Sequence, residues 1–224
     1  MKRKSNFKTI LSLVAVIAIG MFTLTSCDKD DNNDIINETP MSIAATASAD
    51  PQFSILVQAL TKADLATTLS NSGTFTVFAP TNAAFEALFT QLGVSGIDQL
   101  SADALRPILL YHVLGTKAVS SGLTSGYVST LSPAIDGRFV SLKVDIMSGV
   151  KLNNSAMVSS ADIMASNGVI HIIDKVLLPP TVVDLAVANS NFSTLVSALS
   201  GANLVSALSN PAGTFTVFAP TNDA

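Results

Sequence analysis

GTFTVFAPTN, Gly73 to Asn82, recurs unchanged at Gly213 to Asn222. Ten identical residues in order are not a compositional accident, so the chain contains an internal repeat. The likeness extends upstream. Phe53, Ser54, Leu56, Val57, Ala59 and Leu60 match Phe192, Ser193, Leu195, Val196, Ala198 and Leu199, and Leu65 and Leu69 match Leu204 and Leu208. One extra residue near Pro211 shifts the offset from 139 to 140. The first copy runs from about Ser42 to Leu178. The second starts near Thr181 and reaches Ala224, the counterpart of Ala84. Nothing in the second copy matches Phe85–Leu178. A stub this short does not close the same core alone, so the expectation is a piece of a tandem-domain protein. The alternative is a short chain whose last segment packs on the first copy.

Around the repeated decamer the residue pattern predicts helices first and strands later. Asp50-Pro51 is a helix start, with a capping carboxylate and Pro at the first helical position. Phe53, Leu56, Val57 and Leu60 then share a helical face. A second short helix carries Ala63, Leu65 and Leu69. Thr74–Ala79 reads as a strand, with Phe75, Val77 and Ala79 on one side. Thr81 or Asn82 caps a helix bearing Phe85, Leu88 and Phe89. Leu105, Ile108, Leu109 and His112 mark another helix, and Pro107 favours a start near Asp103 over one at Ser101. Beyond Leu114 the period becomes two. Phe139, Ser141 and Lys143 alternate with Val140, Leu142 and Val144. Asn153-Asn154 and Asn167-Gly168 are turn pairs, the latter a type I′ hairpin signal between Ala161–Ala165 and Val169–Val176. Helices followed by antiparallel strands indicate an α+β domain.

The chain has 224 residues, a net charge of −4 and 48% hydrophobic residues. That composition supports a buried core and excludes a disordered chain. It supplies no basic face for nucleic acid. One Cys excludes an internal disulfide framework, and two His make no zinc site with it. No cofactor or metal site is expected. Trp is absent and only two Tyr are present, so aromatic platforms are few.

Residues 1–26 read as an export signal. Lys2, Arg3, Lys4 and Lys8 precede an apolar run, Ile10 to Phe22, too short to span a membrane. Leu24-Thr25-Ser26-Cys27 resembles the lipobox of bacterial lipoproteins, in which Cys27 takes the lipid and becomes the first residue. Cleavage there leaves eight basic residues against sixteen acidic ones. Asp28, Asp30, Asp31, Asp34 and Glu38 make residues 27–41 an acidic, solvated tether. The tether resembles acidic tracts that direct some lipoproteins to the outer face of the outer membrane.

TFTVFAPTNAAF (Thr74–Phe85), LLYHVL (Leu109–Leu114) and NGVIHIIDKVLLPP (Asn167–Pro180), in that order and spacing, resemble the fasciclin (FAS1) domain. The resemblance implies a β-wedge of two sheets with flanking helices over residues 42–178. Residues 181–224 are then a truncated second copy. It further implies tandem copies in extracellular, membrane-anchored proteins that adhere to proteins or polysaccharides. Tyr111-His112 matches a family pair linked to ligand recognition, although the residues alone read as a core Tyr and His at a helix end. Asp162-Ile163 matches an adhesive pair, although Asp162 beside a turn also reads as a backbone cap. His171 reads as a structural strand residue. No catalytic motif is present among those sought, so no enzyme is expected. The expected function is a cell-surface adhesion lipoprotein binding an extracellular protein or glycan. The alternative is a structural or accessory subunit of an outer-membrane complex for polysaccharide capture. The oligomeric state is not indicated.

Overall fold

The structure, a computed structural model, describes residues 40–134, 137–209, 213 and 215–224. The leader, the lipobox with Cys27 and most of the tether lie outside the described residues.

Capping residues set the helical half. Ser42 Oγ accepts from Ala45 N at the start of α1 (Ile43–Ala49). Asp50 Oδ1 accepts from Gln52 N and opens a 3-10 turn, Pro51–Phe53, that runs into α2 (Ser54–Lys62). After α3 (Ala66–Ser70) comes β1 (Phe75–Pro80), then α4 (Asn82–Leu92), capped by Thr81 Oγ1. Asn82 works elsewhere. Its Oδ1 accepts from Ile55 N, and its Nδ2 donates to the Pro51 carbonyl and Ser54 Oγ, so it closes the start of α2 from across space. α5 (Ala102–Tyr111) is capped by Ser101, not Asp103. Pro107 therefore lies past the first turn, and the helix tolerates the bond its ring nitrogen cannot make.

The strands are β2 (Val113–Leu114), β3 (Gly126–Pro133), β4 (Phe139–Asp145), β5 (Lys151–Leu152), β6 (Ala156–Ala165) and β7 (Gly168–Ile173). Their order is β2-β1-β7-β6-β5-β4-β3. Among these strands, only β1 and β7 pair in parallel. β6 pairs with β5 at Ala156 and Met157 and with β7 from Val158 onward. Its register shifts twice before Ile163, so one irregular strand belongs to two ladders. This is the α+β architecture expected, with the two sheets sharing β6.

β1 and β7 are buried on both faces, where alternation suggested one. Val77, Ala79, Ile170 and Ile172 face a core built with α1–α5. Phe78 and Ile173 face a second core with Tyr111, Leu142, Val144 and Leu152. Strands sandwiched in this way read as continuous apolar runs.

The β6–β7 turn departs from the type I′ expectation. Ala165 pairs with Gly168, so the loop residues are Ser166 and Asn167, and neither has a positive φ. Asn167 is buried instead. Its Oδ1 accepts from Ile43 N at 2.8 Å, and its Nδ2 donates to the carbonyls of Leu69 and Asn71, each at 2.8 Å. Gly168, at φ 158°, opens β7 where a Cβ would overlap the Phe75 carbonyl. The dipeptide joins α1, α3 and β1 to β7.

The second copy repeats the helical half. Thr181 caps α6 (Val182–Val187), and α7 (Ser193–Gly201) and α8 (Val205–Leu208) follow. Asn203 takes φ 58°, as Asp64 takes φ 57°. Asn222 Oδ1 accepts from Thr194 N, and its Nδ2 donates to the Ser190 carbonyl, reproducing the bridge of Asn82. The strand is not reproduced. Residues 215–220 are irregular, and Phe218 is 91% exposed, whereas its equivalent Phe78 is 0% exposed.

Asn167→Ala orphans three backbone groups, two of them buried, and is expected to destabilise the chain by about 3 kcal/mol. Ser166→Ala at the exposed neighbour should stay within about 0.5 kcal/mol. Urea unfolding followed by circular dichroism compares the two. Equal losses would show that Asn167 does not knit the fold.

Candidate functional site

The outward face of the β3–β4 ladder carries polar side chains that border an open cleft. Tyr127 pairs with Lys143 and Ser129 with Ser141, so these side chains share one face. The opposite face, with Val128, Leu142 and Val144, is core. Next to the outward face lies a cleft of about 540 Å³. α4 contributes Leu88 and Gln91, the β5–β6 turn contributes Asn153 and Asn154, the segment after β7 contributes Lys175, and α6 contributes Leu185. Tyr127 is 70% exposed at this cleft and Leu185 53%. Both repeats thus line one cavity. Ligand sites in general are concave, with a few convergent polar groups.

Tyr111 lies beneath the cleft, fully buried. Its hydroxyl donates to the Ser141 carbonyl at 3.1 Å and accepts from Asn153 Nδ2 at 2.9 Å. Asn153 Oδ1 in turn accepts from Lys143 N at 3.1 Å. Asn153 and Asn154 sit at φ 48° and 57°, a conformation Asn tolerates better than most residues. Burial pushes the Tyr111 pKa up, partly offset by the Asn153 hydrogen bond. Tyr111 therefore stays protonated and fixes the turn that floors the cleft.

His112 is buried beside it. Nδ1 donates to the Ile108 carbonyl, and Nε2 accepts from Leu177 N, both at 2.8 Å. Together these bonds need the neutral ring with its proton on Nδ1. The ring thereby ties α5 to the segment that carries Lys175. Burial lowers its pKa from 6.5 to about 4, against the opposing bond to Ile108.

Asp162 and Ile163 do not line the cleft. Asp162 takes φ 62° at the β6 irregularity, and its carboxylate accepts from Ser120 N at 2.8 Å and from Ser120 Oγ. These hydrogen bonds, first the side-chain one, hold its carboxyl below the usual range. Asp162 N donates to His171 Nδ1 at 3.2 Å, and His171 Nε2 bonds the Ala118 carbonyl at 2.8 Å. The His171 ring stacks on Phe78, with centroids 5.6 Å apart. Asp162 and His171 thus pin the 118–120 loop to β6 and β7. Ile163 is half-buried against the helical core. The Tyr-His pair and the Asp-Ile pair are not brought together into one site. Tyr127, Lys143, Asn154, Lys175 and Leu185 were not singled out from sequence as site residues. The outward alternation of Lys143 was the one available signal.

His112 makes stability depend on pH. Folding lowers its pKa, so the unfolded chain takes the proton first, and stability declines as pH falls from 6.5 to about 4. The expected loss is about 3 kcal/mol across that window. His112→Gln should flatten it in urea titrations at several pH values. Asp162 acts lower, its contribution fading only as pH drops below the ordinary carboxylate range.

Comparison with known proteins follows the same residues. The fasciclin domain matches residues 51–179 and 190–224. Protein sll1483 of Synechocystis is 39% identical over 169 residues, covering 73% of this chain and 91% of that protein. Human periostin is 34% identical over 196 residues, covering 85% of this chain but 22% of periostin. The cell surface glycolipoprotein MPB83 of Mycobacterium bovis is 38% identical over 145 residues, covering 62% of this chain and 60% of that protein. Among the described residues, no helix is long and apolar enough to cross a membrane. The match over both copies and the likeness to sll1483 place this chain in the fasciclin domain family.

Proposed function

We propose that the chain is a surface lipoprotein that adheres to an extracellular polysaccharide through the cleft between its two fasciclin copies. The observation that carries this reading is the grouping of Tyr127, Asn154, Ser155 and Gln91 around one open cavity. An exposed aromatic ring offers a flat apolar surface to a sugar face, and amide and hydroxyl groups match sugar hydroxyls. Binding, with no reaction, is the role. Tyr111 and His112 serve it from beneath: Tyr111 by holding Asn153, His112 by holding the backbone next to Lys175 and Leu178. Asp162 serves the 118–120 loop and Ile163 the helical core, both away from the ligand.

The anchoring part of the reading rests on Leu24–Cys27 and the acidic residues after it. A relative named as a cell surface glycolipoprotein supports it. Acyl chains on Cys27 would hold the protein to the outer membrane, facing outward, because several chains together anchor firmly where one does not. Residues 181–224 are proposed as the helical part of a second domain. Its strand, 215–220, would pair once counterparts of β2 and β7 are supplied.

Two measurements check these readings. Tyr127→Ala on β3 and Leu185→Asp on α6, both lining the cleft, are each expected to weaken polysaccharide binding about tenfold or more without unfolding the chain. Wild-type affinity in both variants would remove the cleft from the function. The intact mass of protein extracted from native membranes should show Cys27 as the first residue with acyl chains attached. Mass corresponding to an unprocessed leader would refute the anchor.

A further inference from the structure

We propose that the cleft selects an acidic polysaccharide, with Lys143 and Lys175 as the pair that recognises its carboxylates. This rests on reading the cleft as a saccharide site. Both lysines line the cavity, from different walls: Lys143 from β4 and Lys175 from the segment after β7. Neither forms an ion pair among the described residues. Lys62, by contrast, is tied to the carbonyls of Ile97 and Asp98.

One carboxylate, Asp184, also lines the cavity. Its Oδ2 is engaged by Thr181 N at 2.8 Å and by Thr181 Oγ1 at 2.7 Å, in the capping box of α6. Its charge complements a helix start. The cleft therefore keeps a net positive charge on a chain whose overall charge is −4. The acidic surface repels a polyanion, while the cleft attracts one. That contrast directs an anionic chain to this one place and disfavours binding elsewhere.

The placement of Lys143 adds selectivity. It stands opposite Tyr127 in the ladder, so a sugar ring lying on the tyrosine brings its carboxylate toward the ammonium. The Lys143 backbone is held on both sides by Asn153, whose Oδ1 accepts from Lys143 N and whose N donates to the Lys143 carbonyl. Tyr111, bonded to Asn153, extends this support into the core.

Polygalacturonate, alginate and hyaluronate, each beside its carboxyl-reduced neutral form, test the inference by affinity electrophoresis of the full chain. The acidic form of at least one backbone should retard the protein about tenfold more strongly than its reduced form. Added salt should weaken the acidic interaction alone. Lys143→Gln and Lys175→Gln should each weaken it several-fold, and the double variant should fall to the level of the reduced polymer. Lys117→Gln, outside the cleft, should change nothing. Equal retardation by acidic and reduced forms would overturn charge selection and leave the saccharide site standing. Equal losses in Lys117→Gln and the cleft variants would overturn it by showing diffuse attraction. Retardation by none of the six polymers would overturn both the selection and the saccharide reading.

Discussion

The parallel pairing of β1 with β7 is the constraint on which the other elements depend. It joins Phe75–Pro80 to Gly168–Ile173, segments separated by some 90 residues, and places both between the two cores. Such a ladder closes a long loop before it gains anything, so it needs strong local enforcement. Asn167 and Gly168 supply it. The amide of Asn167 satisfies backbone groups from α1 and the end of α3, and the bare Cα of Gly168 lets the Phe75 carbonyl approach. Phe75 N then donates to the Asn167 carbonyl and starts the register.

The second copy is an internal control for that dependence. The same ten residues have the same strand propensity at 73–82 and 213–222, yet Phe75–Pro80 forms a strand and residues 215–220 do not. Propensity is therefore not what holds β1; paired neighbours and burial on both faces are. The helical part behaves differently. Its caps and its Asn222 bridge have all their partners within 44 residues, so they form without the sheet. One repeat thus divides into a locally satisfied half and a half that requires distant chain.

This division also explains how much was legible in the sequence. Caps at Asp50 and Thr81, the Asn153-Asn154 turn and the alternation of Phe139–Val144 depend on near neighbours, and each reads correctly from residues alone. The Ser101 start of α5 was missed because the penalty of a mid-helix proline was weighed above the better cap, and tertiary packing bears that penalty. Asn167-Gly168 was legible as a turn, but not as an anchor, because the groups it satisfies lie about 100 and 124 residues away. β3 and β2 escaped notice for the same reason: neither carries a strong pattern of its own, and each forms by pairing with β4 or β1.

The cleft is the least local feature and was the least legible. Its walls come from α4, β3, β4, the β5–β6 turn, the segment after β7 and α6, so no short motif encodes it. The conspicuous motif residues lie outside its lining: Tyr111 and His112 in the core, Asp162 on β6, where it holds the 118–120 loop. Motifs that stand out in such a chain are those whose replacement would disturb the fold. Tyr111 connects the two roles. Its ring fills the second core, and its hydroxyl holds Asn153 and, through it, the backbone of Lys143. A buried hydroxyl with a donor on one side and an acceptor on the other is costly to leave half-satisfied. The turn above it is thereby kept in the left-handed conformation it needs, and the lysine beside the turn is kept on the open face. A surface free to vary its outward residues can then change ligand without disturbing the support beneath it.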